Sequence, residues 1–375
     1  MSFKYAAGFN KPGFNPLATP TPIYTYNLYA WGYNNVGQLG FGPASAFGVS
    51  SPNQVGSLTD WLSIASSSYS GFGIKTDGTL WSWGKNDIGQ LGLNNTVNYS
   101  SPKQIGILTS WSKISGTTQG ALAIKTNGTL WGWGYNGTGT LGLNSATYSF
   151  SSPQQVGALT TWSSVSSYYS TFAIKTDGTL WSWGFNNVGQ LGLGNRTNYS
   201  SPVQVGALTN WSNVSATSAG AVAVKTDGTI WTWGGNTAGQ LGLGNTTNYS
   251  SPKQVGALTS WYKAEGGYFC VAIKTDGTFW SWGQNNAGQL GLGNTTYYSS
   301  PKQVGALTNW ANVFSKFAVS LAIKTDGTLW SWGQGGLGQL GLGNTTYYSS
   351  PKQVGSLTTW YKVSVGNNFT MGLKY

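Results

Sequence analysis

The sequence predicts an all-β protein, a closed seven-bladed β-propeller built from repeats of about 50 residues, with one blade completed by strands from both termini. Three observations carry this expectation. A Trp-Gly pair recurs at Trp31, Trp83, Trp133, Trp183, Trp233, Trp282 and Trp332, with spacings of 52, 50, 50, 50, 49 and 50 residues. Each unit holds about four short runs of strand-forming residues divided by turn residues, which is the pattern of a propeller blade. The first and last units are complementary halves. Leu28-Tyr29-Ala30-Trp31-Gly32 has no hairpin partner before it, and Phe369-Thr370-Met371-Gly372-Leu373-Lys374-Tyr375 matches the missing strand. Pairing the two halves closes a ring and removes both sheet edges, which would otherwise template aggregation. A solenoid would need distinct capping units instead, and none is visible.

In chain order, residues 1–23 form an arm set apart from the propeller of residues 24–375. Pro12, Pro16, Pro20 and Pro22 forbid a regular element there. Phe3, Phe9 and Phe14 make the arm too apolar for a simple solvated tail, so it either packs on its own domain or is a candidate docking segment that orders on a partner. Each unit then centres on a hairpin such as Phe172-Ala173-Ile174-Lys175-Thr176-Asp177-Gly178-Thr179-Leu180-Trp181-Ser182-Trp183-Gly184. Asp-Gly between such runs predicts a two-residue type I′ turn. That register sets Ile174 opposite Trp181 and Phe172 opposite Trp183, giving a bulky face and a small face suited to stacking on the next copy. A loop ending in Gly-Gln-Leu-Gly follows. After it comes a Ser-Pro-x-Gln strand, with proline expected at its first residue. Last is a Trp-x-x-Val run, such as Trp162 to Val165, expected to begin the outer strand. All twenty tryptophans fall at repeated positions, so packing is their expected role. Each buries roughly 150–250 Å².

Composition narrows the function. Aromatics are 15% of residues and charged groups 7%, which supplies a core without a charged surface. The net charge is +11, but there is one Arg (Arg196) and no basic cluster, so nucleic acid is not the expected partner. No apolar run is long enough for a membrane helix, so the chain is not expected to be transmembrane. Cys270 is the single cysteine and lies in an apolar strand as a small buried hydrophobe. With no His, one Cys and eight acidic residues, serine or cysteine triads and zinc sites lack their components. The turn aspartates recur once per blade and so stand too far apart for paired-carboxylate chemistry. The expectation is a non-enzyme without a cofactor.

The run from Asp177 to Gly192 (Asp-Gly-Thr-Leu-Trp-Ser-Trp-Gly-x-Asn-x-x-Gly-Gln-Leu-Gly) and its copies resemble the repeats of the regulator of chromosome condensation family. The resemblance implies a seven-bladed propeller closed by strands from both termini. The family's founder is a guanine-nucleotide exchange factor for a small GTPase and uses insertions for which these spacings leave no room. Family repeats usually carry a His seven residues before the turn Asp. Here that position holds Ser70, Gly120, Ser170, Gly220, Phe269, Val319 and Phe369. The Gly-Trp-Arg-His-Thr motifs of the family's plant ultraviolet receptors are absent. The resemblance therefore carries the fold and neither activity.

Two constellations remain as candidate sites. Lys75, Lys125, Lys175, Lys225, Lys274, Lys324 and Lys374 recur once per unit and form a ring. Such a ring is either an anion-binding face or a set of lysines whose stems cover Leu and whose amines lie near the turn Asp. The units also diverge at fixed positions. Those after Trp-Gly include Tyr33, Lys85, Tyr135, Phe185, Gln284 and Gln334, and those before the hairpin include Tyr69, Tyr169 and Tyr268. Divergent loops on a rigid frame are where contact is made. The favoured reading is a structural, decoration or adhesion module of a virion-like or other extracellular assembly, docked through the arm and made without a signal peptide. The alternatives are an intracellular adaptor or exchange factor in the cytoplasm, and a glycan-binding lectin. The partners expected are proteins of a larger assembly, with a glycan or an anionic surface as further options.

Overall fold

A computed structural model describes residues 25–43 and 48–375, and these contain 28 strands in seven four-stranded antiparallel sheets. The third blade is typical, with strands Trp162–Ser167, Ser170–Lys175, Leu180–Gly184 and Tyr199–Gln204 paired in that order. The seventh blade is the split one. Asn27–Gly32 pairs with Phe369–Lys374, from Asn27 opposite Lys374 to Gly32 opposite Phe369, and Trp360–Val365 and Val49–Gln54 flank them. The ring therefore closes as the half-units require. The arm with Phe3, Phe9 and Phe14 lies outside the described residues.

The hairpin register differs from the sequence expectation by one residue. Ile174 lies opposite Leu180, Ala173 opposite Trp181 and Phe172 opposite Ser182. The loop holds three residues, Thr176, Asp177 and Gly178. Gly178 N–H donates to Lys175 O at 3.0 Å and Lys175 N–H to Thr179 O at 3.0 Å. This is a type I turn followed by a left-handed residue, so only Gly178 has positive φ (77°). Asp177 Oδ1 accepts from Thr179 N–H (2.9 Å) and Thr179 Oγ1 (2.7 Å), and that hydroxyl accepts from Trp181 Nε1 at 2.9 Å. The aspartate thus organises the turn through its side chain.

The shift re-sorts the faces. Phe172, Ile174 and Leu180 make an apolar face free of tryptophan. It packs on Trp211, Ala221, Ala223 and Trp233 of the next blade. On the other side Ala173, Trp162 and Trp183 receive Leu122, Ile124 and Leu130 of the preceding blade. Bulky-on-small packing is kept, but each hairpin carries its tryptophans with its small residues. The seven Trp residues of the Trp-Gly pairs are fully buried, and Trp162 meets Trp183 edge-on at 5.9 Å.

Strand order across the blade also corrects the reading. The strand that begins at Trp162 and its copies is innermost, because these strands contact one another around the axis. Ser166 Oγ, for example, accepts from Ala216 N–H in the next blade at 2.9 Å. The Ser-Pro strand is the free outer edge. Pro202 sits within it rather than at its start, in a register break between Ser182 and Gly184 where no ladder bond needs its missing N–H.

Candidate functional site

Each blade ends in two kinds of connection. At the turn face lie the Asp-Gly turns, and at the opposite loop face lie the loops after Trp-Gly together with the turns joining inner and second strands. The loop frame is fixed by buried amides. Asn186 Oδ1 accepts from Leu191 N–H at 2.9 Å, and its Nδ2 donates to Thr197 O at 2.8 Å. Gln190 Oε1 accepts from Val188 N–H at 2.8 Å. Gly192 (φ 73°) lies against the next blade, where an added Cβ would stand 2.8 Å from Trp233 Nε1.

On this frame the two sets of divergent positions become neighbours. Lys85 N–H donates to Tyr69 O (3.1 Å), Tyr135 N–H to Gln119 O (2.8 Å), Phe185 N–H to Tyr169 O (3.4 Å) and Gln334 N–H to Ala318 O (2.9 Å). Tyr33 N–H makes the same bond to Asn368 O at 2.8 Å across the split blade. The side chains follow. Lys85 Nζ lies 5.8 Å from the Tyr69 ring and 3.0 Å from Asp87, and Tyr69 OH accepts from Asn367 Nδ2 at 2.9 Å. Tyr169 and Tyr268 are exposed in the turns before the second strands, as are Tyr148, Tyr297 and Tyr347 in the loops after Trp-Gly. Those last three were missed, although each stands in the Tyr-rich part of its loop.

The axis is closed at this face. Tyr168 of the third blade meets Phe317 of the sixth at 5.6 Å, and Tyr268 of the fifth lies 6.2 Å from Phe317. Phe317 adopts a left-handed φ of 53°, a strained conformation for a bulky residue, held while its carbonyl accepts from Tyr268 N–H at 3.4 Å. Lys316 Nζ crosses the axis to Ser66 O at 2.9 Å. Burial there lowers the Lys316 amine to about 8 and pushes the Tyr168 hydroxyl up.

The lysine ring has a different setting. The corrected register puts each lysine on the tryptophan face, not over Leu. Lys175 Nζ stands 3.6 Å from the Trp181 ring centre and Lys125 Nζ 3.7 Å from that of Trp131. Lys225, Lys274 and Lys324 lie at 3.8 Å from theirs. Lys75 sits 4.4 Å over Trp81 and also pairs with Asp60 at 3.3 Å. Lys374 uses Tyr29 at 4.4 Å. The amines are thus engaged in cation–π stacks within their own blades. Among the described residues no group of three or more His, Cys, Asp or Glu could hold a metal ion. The Cys270 thiol is buried, which raises its pKa.

The regulator of chromosome condensation (RCC1) repeat matches residues 27–74, 77–124, 127–173, 177–224, 227–273, 276–316 and 326–373. The chain belongs to the RCC1 repeat family. Among solved structures it is similar to human WBSCR16 at 20% identity and TM-score 0.83, covering 93% of this chain and 98% of that one. It is also similar to Prp20p from Saccharomyces cerevisiae, whose structure was described with its binding to Gsp1p and histones. That likeness has 18% identity and TM-score 0.81 over 94% of this chain and 92% of that one. Yeast RCC1 (Prp20) bound to Kap60 gives 17% identity and TM-score 0.80, covering 100% and 96%. These likenesses are likenesses of fold. Within the RCC1 repeats of this chain, Ser70 and Ser170 occupy the position seven before the turn Asp. Their hydroxyls donate to Lys85 O (2.8 Å) and Phe185 O (2.6 Å), tying the second strand to the divergent residue of the loop.

Proposed function

We propose that the protein is a non-catalytic interaction propeller whose loop face binds a protein partner. The observation that carries this reading is the pairing of divergent positions. Lys85 stands beside Tyr69 and Phe185 beside Tyr169, so the same Tyr meets a different loop residue in each blade, on a frame whose Asn and Gln residues repeat. Exposed aromatic rings over a rigid base are suited to protein contact, because they bury much area at little entropic cost. The fold's relatives with reported protein binding support the same class of role. The direct test compares Tyr169→Ser/Tyr268→Ser with Lys253→Gln/Lys302→Gln on the outer rim in co-purification of the partner. The loop-face pair should abolish it and the rim pair should leave it intact.

Within this reading we place the partner in a larger assembly, such as a virion, with Phe3, Phe9 and Phe14 as a second docking element. The support is the polar, weakly charged composition and the apolar arm. Deletion of residues 1–22 with unchanged incorporation into the assembly would refute the arm's part. An exchange-factor role is the competing reading, and accelerated nucleotide release from a small GTPase would favour it.

A further inference from the structure

We propose that the central channel is a blind anion-binding well, entered from the turn face, with Lys263 and Lys362 as its principal ligands. The ligand class is a small oxyanion, either a phosphate or a carboxylate.

The inner strands bring four ammonium groups to the axis. Lys113, Lys263 and Lys362 each stand two residues after the inner-strand Trp of their blades, and Lys316 stands at the far end of another inner strand. Each reaches towards a neighbour. Lys113 Nζ donates to Ser163 O, Lys263 Nζ to Asn312 Oδ1 at 3.3 Å and Lys362 Nζ to Ser63 Oγ at 3.0 Å. Glu265, 3.6 Å from Lys263, is the one inner-strand carboxylate. It also accepts from Ser215 Oγ at 2.9 Å, so part of its capacity is used. Lys113 is exposed and Lys263, Lys316 and Lys362 are partly buried, so four positive charges line the axis against one negative charge.

The geometry is that of a well. Tyr168, Phe317 and Lys316 close the loop-face end. From the turn face a cleft of about 530 Å³ runs past Asp227 and Lys225 to Lys263 and Asn213. Asn213, at the repeat position that Lys113, Lys263 and Lys362 occupy in their blades, lies at its inner end. Repulsion between enclosed like charges is relieved by a bound anion, and a low-dielectric wall strengthens each charge-assisted hydrogen bond. Burial, and then the Lys263 charge, lowers the Lys362 amine to about 8, against the opposing pull of Glu265. Its charge is still present at neutral pH.

The test is calorimetric titration of the full chain with sulfate, which stays dianionic across the range, at constant ionic strength. One site per chain is expected. Lys362→Gln and Lys263→Gln should each weaken binding about tenfold or more, the worth of one charge-assisted hydrogen bond. Lys253→Gln on the rim should not change it, and Lys362→Arg should retain it. Affinity should fall as the pH rises through about 8, where Lys362 and Lys316 lose charge. Repeating the titration with inorganic phosphate and with succinate identifies the ligand type. No heat with any of the three, or binding that the channel variants leave unchanged, overturns the proposal. Melting curves of the variants confirm that they are folded.

Discussion

The indole Nε1 of Trp31 donates to the backbone carbonyl of Gln339 at 2.9 Å, joining residues 308 positions apart. The same bond links Trp183 to Thr140 O at 2.9 Å and Trp282 to Gln240 O at 3.0 Å, within the continuous part of the ring. The junction onto the split blade is therefore built like those at Trp83, Trp183, Trp282 and Trp332, whereas the Nε1 atoms of Trp133 and Trp233 are buried without this bond. Gln339 O also accepts from Thr370 Oγ1 at 2.8 Å, on the strand contributed by the C-terminus.

Replacing the indole by a phenyl ring, which deletes the donor and part of a buried ring, should cost the closure and an internal junction alike. Trp31→Phe and Trp183→Phe should each destabilise by about 1 kcal/mol plus a small packing loss. Urea unfolding of both variants checks this. A much larger loss for Trp31→Phe would mark the closure as the weak point of the ring.

Gly178→Ala should be worse than the change at another left-handed glycine. An added Cβ at Gly178 would run into the Thr209 carbonyl oxygen, whereas Gly206 (φ 61°) has nothing within 4 Å. Gly206→Ala should cost about 1–2 kcal/mol from backbone conformation alone, and Gly178→Ala distinctly more. Thermal unfolding of the pair separates steric from conformational cost.

The frame and the divergent positions of one loop should respond in opposite ways. Asn186→Ala leaves Leu191 N–H, Asn195 O and Thr197 O without that partner, at a cost of about 2–3 kcal/mol. Phe185→Ala, at a half-buried loop position, should cost less than about 1.5 kcal/mol and change binding instead. Chemical denaturation and partner titration together read both effects.

Stability should rise with pH above neutrality. Lys316 and Lys362 have folded-state values of about 8, below that of an unfolded lysine. From about pH 8 to pH 10 the unfolded chain therefore binds more protons than the native one, and the free energy of unfolding increases. Above about pH 10 the trend reverses, because Tyr168 and Tyr26 are held protonated by burial in the native state. Melting temperature against pH should show a maximum near this point, and Lys316→Met should flatten the rising limb.

The repeat count, the blade content and the ring closure were legible because each is written in the sequence as a period or as two matching halves. The hairpin register was not, since Asp-Gly serves both a two-residue turn and a three-residue loop with a left-handed glycine. What decides here is Thr179, whose backbone and hydroxyl both bind Asp177. Inner and outer strands exchange places because nothing in the Trp-x-x-Val run at Trp162 to Val165 marks its distance from the axis. Proline in the Ser-Pro strand was the available sign of an edge. The lysines at the axis carried a signal too, since Lys113, Lys263 and Lys362 share one repeat position. The closure of the axis by Tyr168 and Phe317 joins blades three apart, which no local pattern encodes.

The central claim is that the partner seats on the loop face. A photo-crosslinking residue placed at position 185, 284, 253 or 206 samples the loop face twice, then the rim and the turn face. With the partner present, adducts at 185 and 284 and none at 253 or 206 are the predicted result. Adducts confined to 253 or 206 would contradict the account.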